Sequence, residues 1–117
     1  MQLDTHETLR LVLARLDDMK AEDTITIDLR GKSSIADYMV VTSGRSNRHV
    51  GSVADRVLED LHTAGVRDVR VEGMPLCDWV LIDAGDVIAH VFRPEARAFY
   101  SLEKMWAGGN AGKRRAS

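Results

Sequence analysis

Several kinds of residue are scarce in this chain, and each scarcity excludes something. Cys77 is the only cysteine, so no intramolecular disulfide can form, which fits a reducing, cytoplasmic setting. Aromatic residues make up only 5% of the chain, so each Trp and Tyr carries weight. No apolar run approaches the ~20 residues that a membrane helix needs. The N-terminus, MQLDTHETLRLVLARLDD, bears acids from Asp4 onward and lacks an apolar h-region, which excludes a signal peptide. No charge of one sign dominates, and the formal net charge is −2. The segment Ala107 to Ser117 holds Lys113, Arg114 and Arg115 and no acid, so residues 1–106 carry 13 Lys and Arg against 18 Asp and Glu, a body at −5. A mildly acidic body argues against holding nucleic acid by bulk charge and suits a basic partner better.

What is present suits one small domain. At 117 residues folding hides roughly 65% of the unfolded chain's surface, enough for one core. Asp4 followed by Glu7 reads as a capping box, and Leu9, Val12, Leu13, Leu16 and Met19 recur at helical spacing, giving a helix near 5–20. Residues 24–29 (TITIDL) alternate and predict a half-buried strand. Gly31 to Ser34 is a turn, and residues 38–42 (YMVVT) are continuously apolar, as a central strand buried on both faces would be. A second helix near 47–64 carries the stripe Val50, Val53, Ala54, Val57, Leu58 and Leu61, with Gly65 as its left-handed terminator. A short strand at 69–72, a turn at 73–75 and a hairpin of strands 78–83 and 86–92 around Ala84-Gly85 follow. Pro94 sits at the first position of a last helix, with Glu95 in its first turn and Phe99, Leu102 and Trp106 at steps of three and four. The glycine-rich AGGNAGKRRAS segment is expected to be disordered. The order α-β-β-α-β-β-β-α predicts a mixed five-stranded sheet covered by helices, an α/β (α+β) sandwich with one crossover through the second helix. No internal repeat is present.

The residues that could carry chemistry do not assemble into a catalytic set by spacing. Ser43-Gly44-Arg45-Ser46 joins a strand to a helix N-terminus, a geometry that can hold phosphate, yet it is neither a Walker loop nor GxGxxG. Nucleotidyltransferases carry two alternating carboxylates after this place, where this chain has Asn47, Arg48 and His49. The preferred reading is a turn with Ser46 as helix cap. Asp78, Asp83 and Asp86 suggest a metal cluster, but Asp83 shares a strand face with Trp79 and Leu81 while Asp78 points the other way, and Asp is common beside turns. His6, His49, His62 and His90 lack zinc-site spacing. Cys77 has no base adjacent in sequence and reads as a small hydrophobe beside a strand. His90 shares a face with Ile88 and Phe92; either it is buried with a hydrogen-bond partner, or that face opens onto a partner. Trp79, Arg97, Tyr100 and Trp106 are of the types that dominate protein–protein hot spots.

Six segments in order resemble a known family: Gly31-Lys32-Ser33-Ser34-Ile35-Ala36-Asp37-Tyr38, Arg48-His49-Val50, Glu72-Gly73, Asp78-Trp79, Gly85-Asp86-Val87-Ile88-Ala89-His90-Val91, and Arg97 through Trp106. Together they are similar to the ribosomal silencing factor, or Iojap-like, family over residues 5–106. The resemblance implies a domain at 1–106, a nucleotidyltransferase-like fold without the catalytic acids, and no enzymatic activity, metal or cofactor. It implies attachment to the large ribosomal subunit through large-subunit ribosomal protein fourteen, uL14. The bound protein then blocks subunit joining and represses translation when nutrients run short. It also implies homodimers of some free members, and no membrane or sequence-specific nucleic-acid partner. The expected contact centres on Trp79, Leu81, His90 and Tyr100, with Lys32, Asp83 and Arg97 at the rim, within an interface of about 1,600 Å² in total. The alternatives are a nucleotidyltransferase-like enzyme using residues 43–46, and an RNA-binding module, against which the acidic body and the lack of a stacked-aromatic sheet motif weigh.

Overall fold

The first helix, α1 (Thr5–Asp18), starts where the sequence says it should. The Asp4 carboxylate accepts the Glu7 N–H at 2.8 Å and the Glu7 carboxylate accepts the Asp4 N–H at 2.9 Å, so two otherwise orphaned donors are satisfied reciprocally. The computed structural model describes residues 3–74 and 76–95. α1 ends with Ala21 N–H on the Leu16 carbonyl and Lys20 N–H on that of Asp17, which puts Lys20 at φ 62, a place where glycine is the usual occupant. The second helix, α2 (Asn47–Thr63), ends with the same pair of bonds, Val66 to Leu61 and Gly65 to His62, and here the left-handed residue is the expected Gly65 at φ 89.

Five strands, β1 (Glu22–Asp28), β2 (Tyr38–Ser43), β3 (Arg70–Glu72), β4 (Trp79–Asp83) and β5 (Val87–Phe92), form one mixed sheet in the order β1-β2-β5-β4-β3. β2 and β5 pair in parallel, and every other neighbouring pair is antiparallel. β2 and β3 therefore run the same way, with α2 between them in the chain. The expected crossover exists, but it spans the two strands that the later hairpin inserts.

Alternation along the strands divides the core into two layers. Tyr38, Val40, Val80, Ile82, Val87, Ala89 and Val91 face α1 and α2 and pack on Val12, Leu16, Val50, Val53, Ala54, Val57 and Leu61. Met39, Val41, Ile88 and Phe92 lie on the other face with Ile27, Leu29 and Ala36, and Trp79 and Leu81 pack against that cluster. β2 and β5 are buried along their whole length, as a continuous apolar run at the centre of a sheet requires.

β1 departs from expectation. It begins two residues earlier than the pattern suggests, and only Ile27 within it is buried. Local alternation tells which face a side chain takes, not whether that face is covered, and β1 is an edge strand. A register break between Glu22 and Ile25, with Asp23 at φ 53, twists that edge away from further pairing. Both described helices lie on one face of the sheet. Residues 94 and 95 open a helical segment; Arg97, Phe99, Tyr100, Leu102, Trp106 and the segment 107–117 lie outside the described residues.

Candidate functional site

The β4–β5 hairpin sets the geometry. The Asp83 carboxylate accepts the Gly85 N–H at 2.9 Å and Ala84 N–H bonds the Val87 carbonyl at 2.9 Å, closing the turn around Gly85 at φ +91. The register that follows pairs Asp83 with Ile88, Leu81 with His90 and Trp79 with Phe92. Trp79, Leu81, His90 and Phe92 consequently share one face, opposite the helices.

These side chains form a connected group. The Trp79 indole N–H donates to His90 Nδ1 at 2.9 Å. The indole stacks on Phe92 with centroids 5.1 Å apart, and the imidazole lies nearly parallel to the same ring at 6.0 Å. His90 is 5% exposed, and burial pushes its imidazole down to about 4 because the charged form loses its water. Near pH 7 the ring is neutral, and with Nδ1 accepting, its proton sits on Nε2. Of the two readings left open for His90, the structure takes the buried one, with Trp79 as the partner. His90 thus orients Trp79 from beneath, and Trp79 and Leu81 remain half-buried.

The remaining expected contact residues are spread out. Lys32 is exposed in the turn after β1, its N–H on the Leu29 carbonyl at 2.8 Å. That turn adjoins Asp28 and Tyr38, at the end of the sheet where Asp83 also lies. Trp79 begins β4 at the other end, four residues from Asp83, roughly 13 Å at ~3.3 Å per residue. The structure joins Trp79, Leu81 and His90, with Asp83 next beyond Leu81 on the same face of β4, and places Lys32 and Asp83 at the end of the sheet away from Trp79. Tyr100 and Arg97 lie outside the described residues.

The phosphate loop is already filled by the chain itself. Ser46 caps α2, its hydroxyl accepting the His49 N–H at 3.1 Å. The Arg45 N–H, which a phosphate oxygen would need, donates to His49 Nδ1 at 2.9 Å, while His49 Nε2 reaches the Met19 carbonyl at 2.7 Å. A Cβ on Gly44 would come within 2.8 Å of Val50 Cγ2, so this glycine lets the loop lie against the helix. The acids are dispersed in the same way. Asp83 serves the hairpin turn, Asp86 accepts from the Thr5 hydroxyl at 2.8 Å, and Asp78 holds Asn47 Nδ2 at 3.0 Å and Arg93 Nε at 2.9 Å. Among the described residues no three His, Cys, Asp or Glu side chains converge as a metal site. Cys77 donates its thiol to the Met74 carbonyl, and burial pushes that thiol's pKa up, the reverse of what a nucleophile needs.

Sequence reasoning missed the Asn47-Asp78-Arg93 tie, which pins the α2 N-terminus to the start of β4 and the end of β5. It also missed Gly73, at φ +90, where a Cβ would stand 2.1 Å from the Trp79 carbonyl oxygen. Glycine is required there because β3 turns directly over the backbone of Trp79. The pair Glu72-Gly73 was visible as a motif, but its physical reason needed the fold.

Comparison with known proteins shows which family and fold the chain shares. The family model described as "Ribosomal silencing factor during starvation" matches residues 2–116. A ribosomal silencing factor from Zymomonas mobilis is 50% identical over 107 residues, 92% of this chain and 80% of that protein. Its counterpart from Bacillus subtilis is 37% identical over 98 residues, 84% of this chain and 83% of that protein. The fold is similar to that of a Chromobacterium violaceum protein of known crystal structure, with a TM-score of 0.85 at 38% identity, covering 89% of this chain and 87% of the other. A match that runs nearly the whole chain, at these identities and with the same fold, shows that the chain belongs to the ribosomal silencing factor family.

Proposed function

We propose that this protein binds the large ribosomal subunit through ribosomal protein uL14 and, by occupying the surface the small subunit needs, blocks subunit joining and lowers translation under nutrient limitation. It acts by steric exclusion as a binding protein in the cytoplasm, not as an enzyme. Pairing of the free protein as a homodimer, as the resemblance implies for some members of the family, belongs to the same proposal. The observation that carries this reading is membership of the silencing-factor family along residues 2–116.

The contact centres on Trp79, Leu81, His90 and Tyr100, with Lys32, Asp83 and Arg97 toward the edge. Support comes from the hairpin. A Trp held by a part-buried hydrogen bond and an aromatic stack spends little entropy on docking, which favours it as an anchor. His90 contributes by fixing Trp79 rather than by its own exposed surface. Basic ribosomal proteins are drawn to a body at −5 by long-range attraction. Truncating a central aromatic costs about 2 kcal/mol or more, roughly thirtyfold in affinity. Trp79→Ala is therefore expected to lose co-sedimentation with large subunits while circular dichroism still shows a folded domain. Wild-type co-sedimentation by that variant would remove Trp79 from the interface.

A further inference from the structure

Between the edge strand β3 and the start of β4 lies a hollow of about 210 Å³ lined by Glu72, Gly73, Trp79 and Leu81. Such a volume is that of roughly seven waters, below the ~300–1,000 Å³ of ordinary metabolite pockets, and suits a single long side chain. We propose that this hollow is a receptor for one lysine or arginine side chain of the docking partner, its aliphatic stem on Trp79 and Leu81 and its charge on Glu72. This inference rests on the docking reading above and specifies the chemistry of one contact within it.

Three observations carry it. First, the Trp79 indole N–H is already committed to His90 Nδ1 at 2.9 Å. Trp79 lines the hollow without offering it that N–H, and aromatic surface attracts cations and aliphatic stems. Second, among the described residues that line the hollow, the one ionisable group is a carboxylate. Glu72 is exposed at the end of β3 and has no ion pair among the described residues. Arg70, two residues back on the same strand face, stands opposite Asp83 in the register, so the acid nearest that arginine across the strands is another one. Third, the other side chains that line the hollow among the described residues, Trp79 and Leu81, are apolar or aromatic. Gly73 sits against the Trp79 carbonyl oxygen with no space for a Cβ, and Glu72 stands opposite Leu81 in the register, so the carboxylate, the Leu and the Trp line one hollow. A carboxylate, an indole and a Leu around one hollow make a cradle for an amphipathic cation. A phosphate or carboxylate would meet like charge there.

The test measures affinity of the full-length protein for purified large subunits at low and physiological salt, comparing wild type with Glu72→Gln, Glu72→Lys and Trp79→Ala. Glu72 is exposed, so both of its variants are expected to fold. Glu72→Gln should weaken binding about two- to fivefold, the range of a part-exposed ion pair, and Glu72→Lys more than about tenfold, because a second cation would then oppose the first. In parallel, N-acetyl-lysine methylamide and N-acetyl-arginine methylamide, titrated at millimolar concentration, should shift the Trp79 indole N–H and Gly73 amide resonances. N-acetyl-norleucine methylamide, which has the stem without the charge, should shift them less. Affinity within twofold of wild type for Glu72→Lys, with Trp79→Ala defective, would overturn this inference and leave the docking reading standing. If Trp79→Ala also binds as wild type, this inference falls and Trp79 leaves the interface, whereas a wild type that does not bind large subunits would overturn the docking reading itself.

Discussion

The His90–Trp79 pair makes the stability of this domain depend on pH in a window where few other groups change. The imidazole titrates near the ordinary value of about 6.5 in an unfolded chain and is pushed down to about 4 in the folded one. Because its folded pKa is depressed, its contribution is complete above about pH 6.5. Below that the unfolded state takes up a proton that the folded state refuses, and stability falls until about pH 4. Linkage at 1.36 kcal/mol per pK unit gives a total of about 3 kcal/mol, of which about 2 kcal/mol is lost between pH 7 and pH 5. That is a large share of the roughly 5–15 kcal/mol available to a small domain. The assay is urea denaturation of wild type and His90→Gln at pH 7, 6 and 5. Glutamine cannot titrate but keeps an oxygen that can accept the indole proton, so the difference in slope isolates His90 from the other histidines. The wild type is expected to lose about 2 kcal/mol more than the variant across that range. Equal slopes would mean that His90 protonates freely in the folded protein, and a buried His90 bonded to Trp79 would then be the wrong picture.

Two further perturbations probe the frame. Gly73→Ala combines a left-handed alanine, costing about 1–2 kcal/mol, with a Cβ 2.1 Å from the Trp79 carbonyl oxygen; it should destabilise by about 3 kcal/mol and broaden the Trp79 indole resonance, and a loss below about 1 kcal/mol by denaturation would show that the β3–β4 turn is not held against Trp79. Lys20→Gly relieves the left-handed lysine at φ 62 that ends α1 and should stabilise by about 0.5–1 kcal/mol, read as a rise in the denaturation midpoint with unchanged slope, whereas a fall would mean that the lysine makes a contact worth more than its strain.

How legible this molecule is in its sequence depends on how local the deciding physics is. The α1 capping box, the Ser46 cap and the Gly65 terminator involve groups within one turn of each other, and all three stand where their residues predict. Lys20 was invisible for the complementary reason: nothing about a lysine announces a left-handed conformation, which here follows from the chain having to leave α1 for β1. β2 read correctly as a strand because burial on both faces leaves a continuous apolar run, and β5 read correctly as the second arm of a hairpin around Ala84-Gly85. β1 looked half-buried because Ile25 and Ile27 alternate with polar residues, but its edge position is a property of sheet order, which adjacent residues do not encode. The site shows the same divide. Trp79 and Leu81 on one strand, and Ile88, His90 and Phe92 on the next, were each assigned to a shared face. That the two sets form one surface depends on the hairpin register, and only the register identifies Trp79 as the partner of His90. The Asn47-Asp78-Arg93 tie joins three distant segments and has no sequence signature of its own.

The central claim is that docking on the large subunit excludes the small one. Purified subunits mixed at a magnesium concentration that favours joining, with increasing amounts of this protein, can be read by sucrose-gradient sedimentation. The account predicts a dose-dependent fall in joined ribosomes, with the protein in the large-subunit fraction, and no fall with Trp79→Ala. An undiminished joined peak while the protein still travels with the large subunit would contradict it.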